Sequence, residues 1–113
     1  MIDADHCASV GTHIATYNGN DFFRARGTSA SAPIVAALFN RIVEQRLRAG
    51  KGPLGFVNPD LYQHPDVMND ITVGGNGYCL PKEGFECAPG WDPVTGWGTP
   101  NYPKLLEVFM QIP

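Results

Sequence analysis

The chain has 113 residues, 43% of them hydrophobic, and a formal net charge of −3. That length allows one domain, and the composition excludes both a disordered tail and a fibrous repeat. The acidic balance and scattered basic residues exclude a nucleic-acid footprint, and no apolar run approaches the ~18 residues of a membrane span. Folding should bury about two-thirds of the surface that the extended chain exposes. Glycine (13) and proline (10) are well above average usage, so much of the chain must be turns and fixed loops. Met1 to Thr16 has no basic start and no apolar centre, so it does not read as a signal peptide. The three cysteines, Cys7, Cys79 and Cys87, leave at least one without a partner inside the chain. An odd cysteine suits a piece of something larger.

The predicted elements run as follows. Gly11 to Tyr17 alternates and is β-branched, Asn18-Gly19-Asn20 is a turn signal, and Asp21-Phe22-Phe23 begins a return strand, which together predict a hairpin. Residues 29–49 predict the clearest helix, with Ile34, Val35, Leu38, Phe39, Ile42, Val43 and Leu47 on one stripe. Pro33 is legal only in the first turn, where its missing N–H costs nothing, which fixes the start near Ser29 to Ala32. Gly50 supplies the stop, with Arg46 and Arg48 suited to the negative end of the helix dipole. Residues 50–69 read as loop and short turns, with Leu54, Phe56, Leu61 and Tyr62 as buried anchors. Residues 70–100 are the most loop-like stretch. A last helix is expected near Pro103 to Gln111, with Leu105, Leu106, Phe109 and Met110 inward.

The chemistry concentrates first in Gly27-Thr28-Ser29-Ala30-Ser31-Ala32-Pro33. A serine follows a glycine turn and opens a buried helix. Glycine lets a substrate backbone approach. The helix start offers N–H groups and positive potential to an oxyanion. Small residues at 30–32 keep the approach open. Taken alone, such a serine is more often an N-cap than a nucleophile.

The full string resembles the nucleophile motif of the subtilisin-like clan of serine peptidases. Two families in that clan compete, one pairing serine with histidine and aspartate, the other, the sedolisins, pairing it with glutamate and aspartate. Val10-Gly11-Thr12-His13-Ile14-Ala15 superficially resembles the histidine block of the first, but Val10 stands where its catalytic histidine belongs. The block also lies too near the serine, and His6 and His64 have no motif around them. The histidine triad is therefore rejected. Asn69-Asp70-Ile71-Thr72, followed by Ala88-Pro89-Gly90-Trp91-Asp92-Pro93-Val94-Thr95-Gly96-Trp97-Gly98-Thr99-Pro100, resembles the C-terminal calcium site of the sedolisins. Gly52-Pro53-Leu54-Gly55-Phe56-Val57-Asn58-Pro59 adds to the agreement. The resemblance is nearest to the fungal and lysosomal tripeptidyl peptidases, strong over 27–113 and weak over 1–26.

The resemblance implies an α/β fold: the C-terminal fragment of a subtilisin-like peptidase domain, made of a hairpin, a nucleophile helix, a calcium loop region and a terminal helix. The whole chain, 1–113, is then one partial peptidase domain. It implies Ser29 as nucleophile and one calcium ion held by the Asp70 and Asp92 carboxylates and the carbonyls of Ile71 and Gly90. Ala88 would add a further carbonyl, and it stands where relatives often have glycine. Calcium takes six to eight oxygens and accepts main-chain carbonyls. Neither ligand segment contains histidine or cysteine, which argues against zinc. Asp66 reads as solvated loop, because the family's catalytic carboxylates lie well before the serine.

Cys79 pairs either with Cys87 or with a cysteine of an absent upstream part. Cys7 has no assigned partner. The implied activity is that of a serine-carboxyl peptidase, a tripeptidyl peptidase or endopeptidase working in acid on peptides or proteins, secreted, with no nucleic-acid or membrane partner. The glutamate base, the aspartate that orients it and the oxyanion aspartate are not among these residues. They are expected on a missing upstream part of the catalytic domain. The alternative is an inactive remnant that binds calcium. Arg26, where relatives usually have a small residue before Gly-Thr-Ser, would crowd the nucleophile turn.

Overall fold

The computed structural model describes residues 14–18, 21–25, 28–76 and 84–113. In chain order it has strands β1 (Ile14–Asn18) and β2 (Asp21–Ala25), then helices α1 (Thr28–Arg48) and α2 (Asn58–Gln63). A 3-10 turn (Pro65–Val67), strands β3 (Met68–Asn69) and β4 (Thr99–Pro100), and helix α3 (Tyr102–Gln111) follow. The class is mixed α/β. Strands β1 and β2 form the expected hairpin, antiparallel, with Ile14 opposite Ala25 and Asn18 opposite Asp21. Gly19 and Asn20 at its turn lie outside the described residues, as do Arg26, Gly27, His6 and His13.

Helix α1 begins at Thr28, so Pro33 lies inside it and not in its first turn. The expected start is corrected by up to four residues. Proline's fixed φ is itself helical, and what it removes is one N–H. Here that N–H would have served the Ser29 carbonyl, four residues back. The far end closes as expected. Gly50 adopts a positive φ of 74°. Its N–H donates to the Leu47 carbonyl (3.0 Å), and the Lys51 N–H donates to the Arg46 carbonyl (2.9 Å). These are the two bonds of a Schellman cap.

Arg46 differs most from expectation. It does not sit at the helix surface; it is 1% exposed. Its guanidinium donates to the main-chain oxygens of Phe109, Ile112 (2.9 Å) and Pro113 (2.7 Å), and its Nε donates to Gly52 (2.8 Å). Lys51 Nζ adds a bond to the Ile112 oxygen at 3.1 Å. The carbonyls at a helix C-terminus lack intrahelical donors. A cation there satisfies them and the negative end of the dipole together. Arg46 therefore caps α3, not the helix it belongs to.

Around this clamp, Ile42, Val67, Leu105 and Phe109 form the buried core of the described residues, with Phe39, Leu54, Leu61 and Leu106 partly buried against it. Phe39 and Phe109 meet edge to face at 5.7 Å. Leu105 and Phe109 bear out the inward face expected for the last helix. Two expected anchors are corrected: Phe56 is 77% exposed and Tyr62 59%. Their neighbours Val57 and Leu61 take the inward positions, and one residue along an extended or helical backbone turns the side chain to another face. The α1 stripe is covered only in part. Ile42 is buried, while Ile34 and Leu47 are exposed. Among the described residues α3 is the helix that packs on α1, and its contacts fall in the C-terminal half.

Replacing Arg46 should therefore damage stability far more than replacing its neighbour. Arg46→Ala should lower the unfolding free energy by roughly 3 kcal/mol, because several buried oxygens lose their donor. Arg46→Lys should recover part of it, since an ammonium cannot reproduce the planar fork. Arg48→Ala, which removes an exposed pair with Glu44 at 2.6 Å, should change it by less than about 0.5 kcal/mol. Urea unfolding midpoints of the three variants are the measurement.

Candidate functional site

Ser29 is the second residue of α1, and it is exposed. The first turn holds no acidic side chain, so nothing in it offsets the positive end of the helix dipole. Thr28, Ala32 and Pro33 beside it are exposed too. A serine hydroxyl here faces outward next to a concentration of N–H dipoles. Of the carboxylates that bond among the described residues, Glu44 engages Arg48, Asp70 engages Gly90, and Asp92 engages its own turn.

Asp92 is the buried polar centre of the loop region, 1% exposed. Its Oδ1 accepts from the N–H groups of Val94 and Thr95, each at 2.8 Å. Its Oδ2 accepts from the Thr95 hydroxyl at 3.0 Å and, weakly, from the Ala88 N–H at 3.4 Å. The backbone closes around it: Asp92 N–H donates to the Gly96 carbonyl (3.1 Å) and Gly96 N–H to the Asp92 carbonyl (2.9 Å). Burial on its own raises the Asp92 pKa. The Thr95 and Val94 N–H groups, the Thr95 hydroxyl and the Ala88 N–H outweigh it and hold the carboxyl below its ordinary value. Asp92 is thus an anion in a buried place.

The other carboxylate is brought to the same loop. Asp70 follows β3 directly, is exposed, and accepts the Gly90 N–H on Oδ2 at 2.7 Å. Strand β3 pairs with β4, Met68 opposite Pro100 and Asn69 opposite Thr99. Asn101 donates from its N–H to the Val67 carbonyl (3.0 Å) and from Nδ2 to Asn69 Oδ1 (3.1 Å). Gly98 makes the approach feasible. Its φ is +97°, and a Cβ there would overlap the Asn69 carbonyl oxygen and come within 3.0 Å of Asp70 Cα. A second tie joins the segments further out, where Cys87 N–H donates to the Gly74 carbonyl at 2.8 Å. Cys87 is disulfide-bonded; Cys7 and Cys79 lie outside the described residues.

The structure thus brings Asp70, Gly90 and Asp92 together, with Ile71, half-buried, next to Asp70 in the chain. Ser29 belongs to a different part of the fold. No group of three or more His, Cys, Asp or Glu side chains gathers among the described residues. Any ion here would draw on two carboxylates and on main-chain oxygens, a donor set for a hard cation. Arg48–Glu44 is the ion pair among the described residues, so no cationic side chain there neutralises Asp70 or Asp92. Asp92 is instead compensated by its four hydrogen-bond donors, and Asp70 is exposed. Thr95, which bonds both Asp92 oxygens, is a residue that the sequence reading passed over. The signal was present, since Asp-x-x-Thr is a spacing at which the second side chain returns to the first.

Comparison with known proteins follows this geometry. The chain is 55% identical to Aorsin of Aspergillus oryzae over 106 residues, 94% of its own length. It is 52% identical to tripeptidyl-peptidase sed1 of Aspergillus fumigatus over the same share. It is 49% identical to human tripeptidyl-peptidase 1 over 89 residues, 74% of its length. Its homologues are peptidases of the sedolisin family. No family profile matches the chain. The chain spans only 16% of the length of each of these three relatives. No helix among the described residues is long and apolar enough to cross a membrane.

In this sedolisin homologue the two glycines of the loop region should respond differently to substitution. Gly98→Ala should destabilise by about 3 kcal/mol or more, combining left-handed strain with overlap on the Asn69 backbone. Gly90→Ala meets nothing within 4 Å and carries only the strain of a φ of +85°, about 1 kcal/mol. Chemical denaturation of both variants decides it. Equal losses would mean that the Gly98 approach is not what joins the segments.

Proposed function

We propose that this chain is the nucleophile-bearing, calcium-binding part of a sedolisin-type serine-carboxyl peptidase, the C-terminal portion of a subtilisin-like domain. The observation that carries the proposal is the position of Ser29, exposed in the first turn of a long helix, in a chain 55% identical over 94% of its length to Aorsin. Ser29 Oγ attacks the scissile carbonyl carbon, and the amine leaves to give an acyl-enzyme. The start of α1 stabilises negative charge on the carbonyl oxygen. The serine proton passes to a carboxylate outside this chain. A carboxyl base suits acid, where histidine would stay charged. Peptides or proteins are the substrates, as tripeptidyl peptidase or endopeptidase, in a secreted or lysosomal setting.

Asp70 and Asp92 would hold one calcium ion together with the carbonyls of Ile71, Gly90 and Ala88. Calcium there supplies charge neutralisation and rigidity to the loop, not chemistry at the scissile bond. Partial exposure of α1 supports a further partner. The groove between α1 and the following segment, lined by Ala36, Phe39, Val43, Leu54 and Val57, has a volume near 390 Å³ and is mainly apolar. A helix with apolar residues beyond one covered face is normally buried on several sides. The rest of the peptidase domain is the occupant that the 16% coverage suggests.

The isolated chain is accordingly expected to hydrolyse a tripeptide-linked fluorogenic substrate at acidic pH no faster than Ser29→Ala. Glu44 is fifteen residues along α1 from Ser29, roughly 22 Å at 1.5 Å per residue, too far to act as base. Turnover that disappears in Ser29→Ala would reveal a base among these residues. Calcium should raise the melting temperature and EGTA reverse it, by ~2.7 kcal/mol of stabilisation at a hundred times Kd. Asp92→Asn should abolish that response.

A further inference from the structure

We propose that Thr95 is the positioning residue of the Asp70–Asp92 cation site and sets its affinity. The inference rests on the calcium reading above. Among the described residues Thr95 is the one that holds both oxygens of the Asp92 carboxylate, through its N–H to Oδ1 at 2.8 Å and its hydroxyl to Oδ2 at 3.0 Å. Two contacts to two oxygens fix both the swing of the carboxylate and its rotation. The other donors do less. Val94 N–H reaches Oδ1 alone (2.8 Å), and Ala88 N–H reaches Oδ2 at a weak 3.4 Å.

The distribution of donors leaves capacity on one side. A carboxylate oxygen has about two lone-pair sites. Val94 and Thr95 N–H groups fill those of Oδ1. On Oδ2 the Thr95 hydroxyl fills one, and the long bond from Ala88 contests the other. Oδ2 is therefore the oxygen with room for a cation, and the Thr95 hydroxyl is what aims it. The scaffold for this clamp is rigid, since Asp92 and Gly96 exchange two backbone bonds (3.1 and 2.9 Å) around it. Asp70 has no comparable support. It is exposed, and among the described residues Gly90 N–H is the one donor its carboxylate has (2.7 Å). The preorganised half of the site is thus Asp92, and its preorganisation runs through Thr95.

Groups that orient a metal ligand typically change affinity by about 10–100-fold when removed. The test is isothermal titration of calcium chloride into the full 113-residue chain and its variants at neutral pH, with folding followed by circular dichroism. Thr95→Val removes the hydroxyl and keeps the N–H and the shape. It should raise the calcium Kd about tenfold or more, whereas Thr95→Ser should stay within about threefold of the original. If Thr95→Val does not fold, Thr95→Ala against Thr95→Ser makes the same comparison, since these two differ by the hydroxyl. Melting in EGTA separates the roles. A purely structural hydroxyl would lower that melting temperature and leave Kd unchanged. Tight binding by the original chain with an unchanged Kd in Thr95→Val overturns the role of Thr95 and leaves the calcium site standing. No binding by the folded original chain overturns both.

Discussion

A buried guanidinium holds this small fold together. Removing Arg46 from water is unfavourable, and the compensation comes from backbone oxygens of Gly52, Phe109, Ile112 and Pro113. Those oxygens belong to the end of α3 and to the loop after α1, so one side chain fixes both against α1. Helix α3 passes the constraint on. Asn101 at its start bonds Val67 and Asn69, and Lys104 Nζ bonds the Asp66 carbonyl at 2.9 Å. Residues 66–69 lead straight into Asp70. The place of the first carboxylate therefore depends on a helix whose other end is capped from α1.

Local features were legible in the sequence, and features made by distant backbone were not. The hairpin, the Schellman stop at Gly50 and the inward face of α3 follow from periodicity and from residues a few positions apart. Burial of Arg46 left no such mark. Its acceptors are main-chain oxygens up to 67 positions away, and any residue type supplies a main-chain oxygen. Phe56 and Tyr62 misled for a different reason. Aromatic size suggested anchors, but Leu54, Val57 and Leu61 from the same stretch already pack against the core of Ile42, Val67, Leu105 and Phe109. Asp70, Gly90 and Asp92 were legible only as members of a long motif. Their convergence depends on Gly98, where the absence of a side chain lets two backbones touch.

Ser29 and the carboxylate loop meet different physical demands. The loop needs rigidity, and it has a closed turn, a disulfide at Cys87 and a glycine contact to supply it. The serine needs access and a field, and an exposed first turn supplies both. Pro33 weakens the intrahelical bonding at that turn by withholding an N–H from the Ser29 carbonyl. The proposed nucleophile thus stands on a helix start less tied than the rest of α1. Its proton acceptor has no counterpart among the carboxylates engaged in this fold. The proposed reaction would draw on a second body of structure, in keeping with the groove on α1.

The most direct measurement joins this chain to such a body. The matching segment of Aorsin would be replaced by these 113 residues, and peptide hydrolysis by the purified chimera followed at acidic pH, with and without Ser29→Ala. The chimera should cleave, and Ser29→Ala should abolish cleavage while leaving the fold and calcium binding intact. A folded chimera that cleaves equally well with alanine at position 29, or does not cleave at all, would contradict the assignment of Ser29 as the nucleophile of a sedolisin-type site.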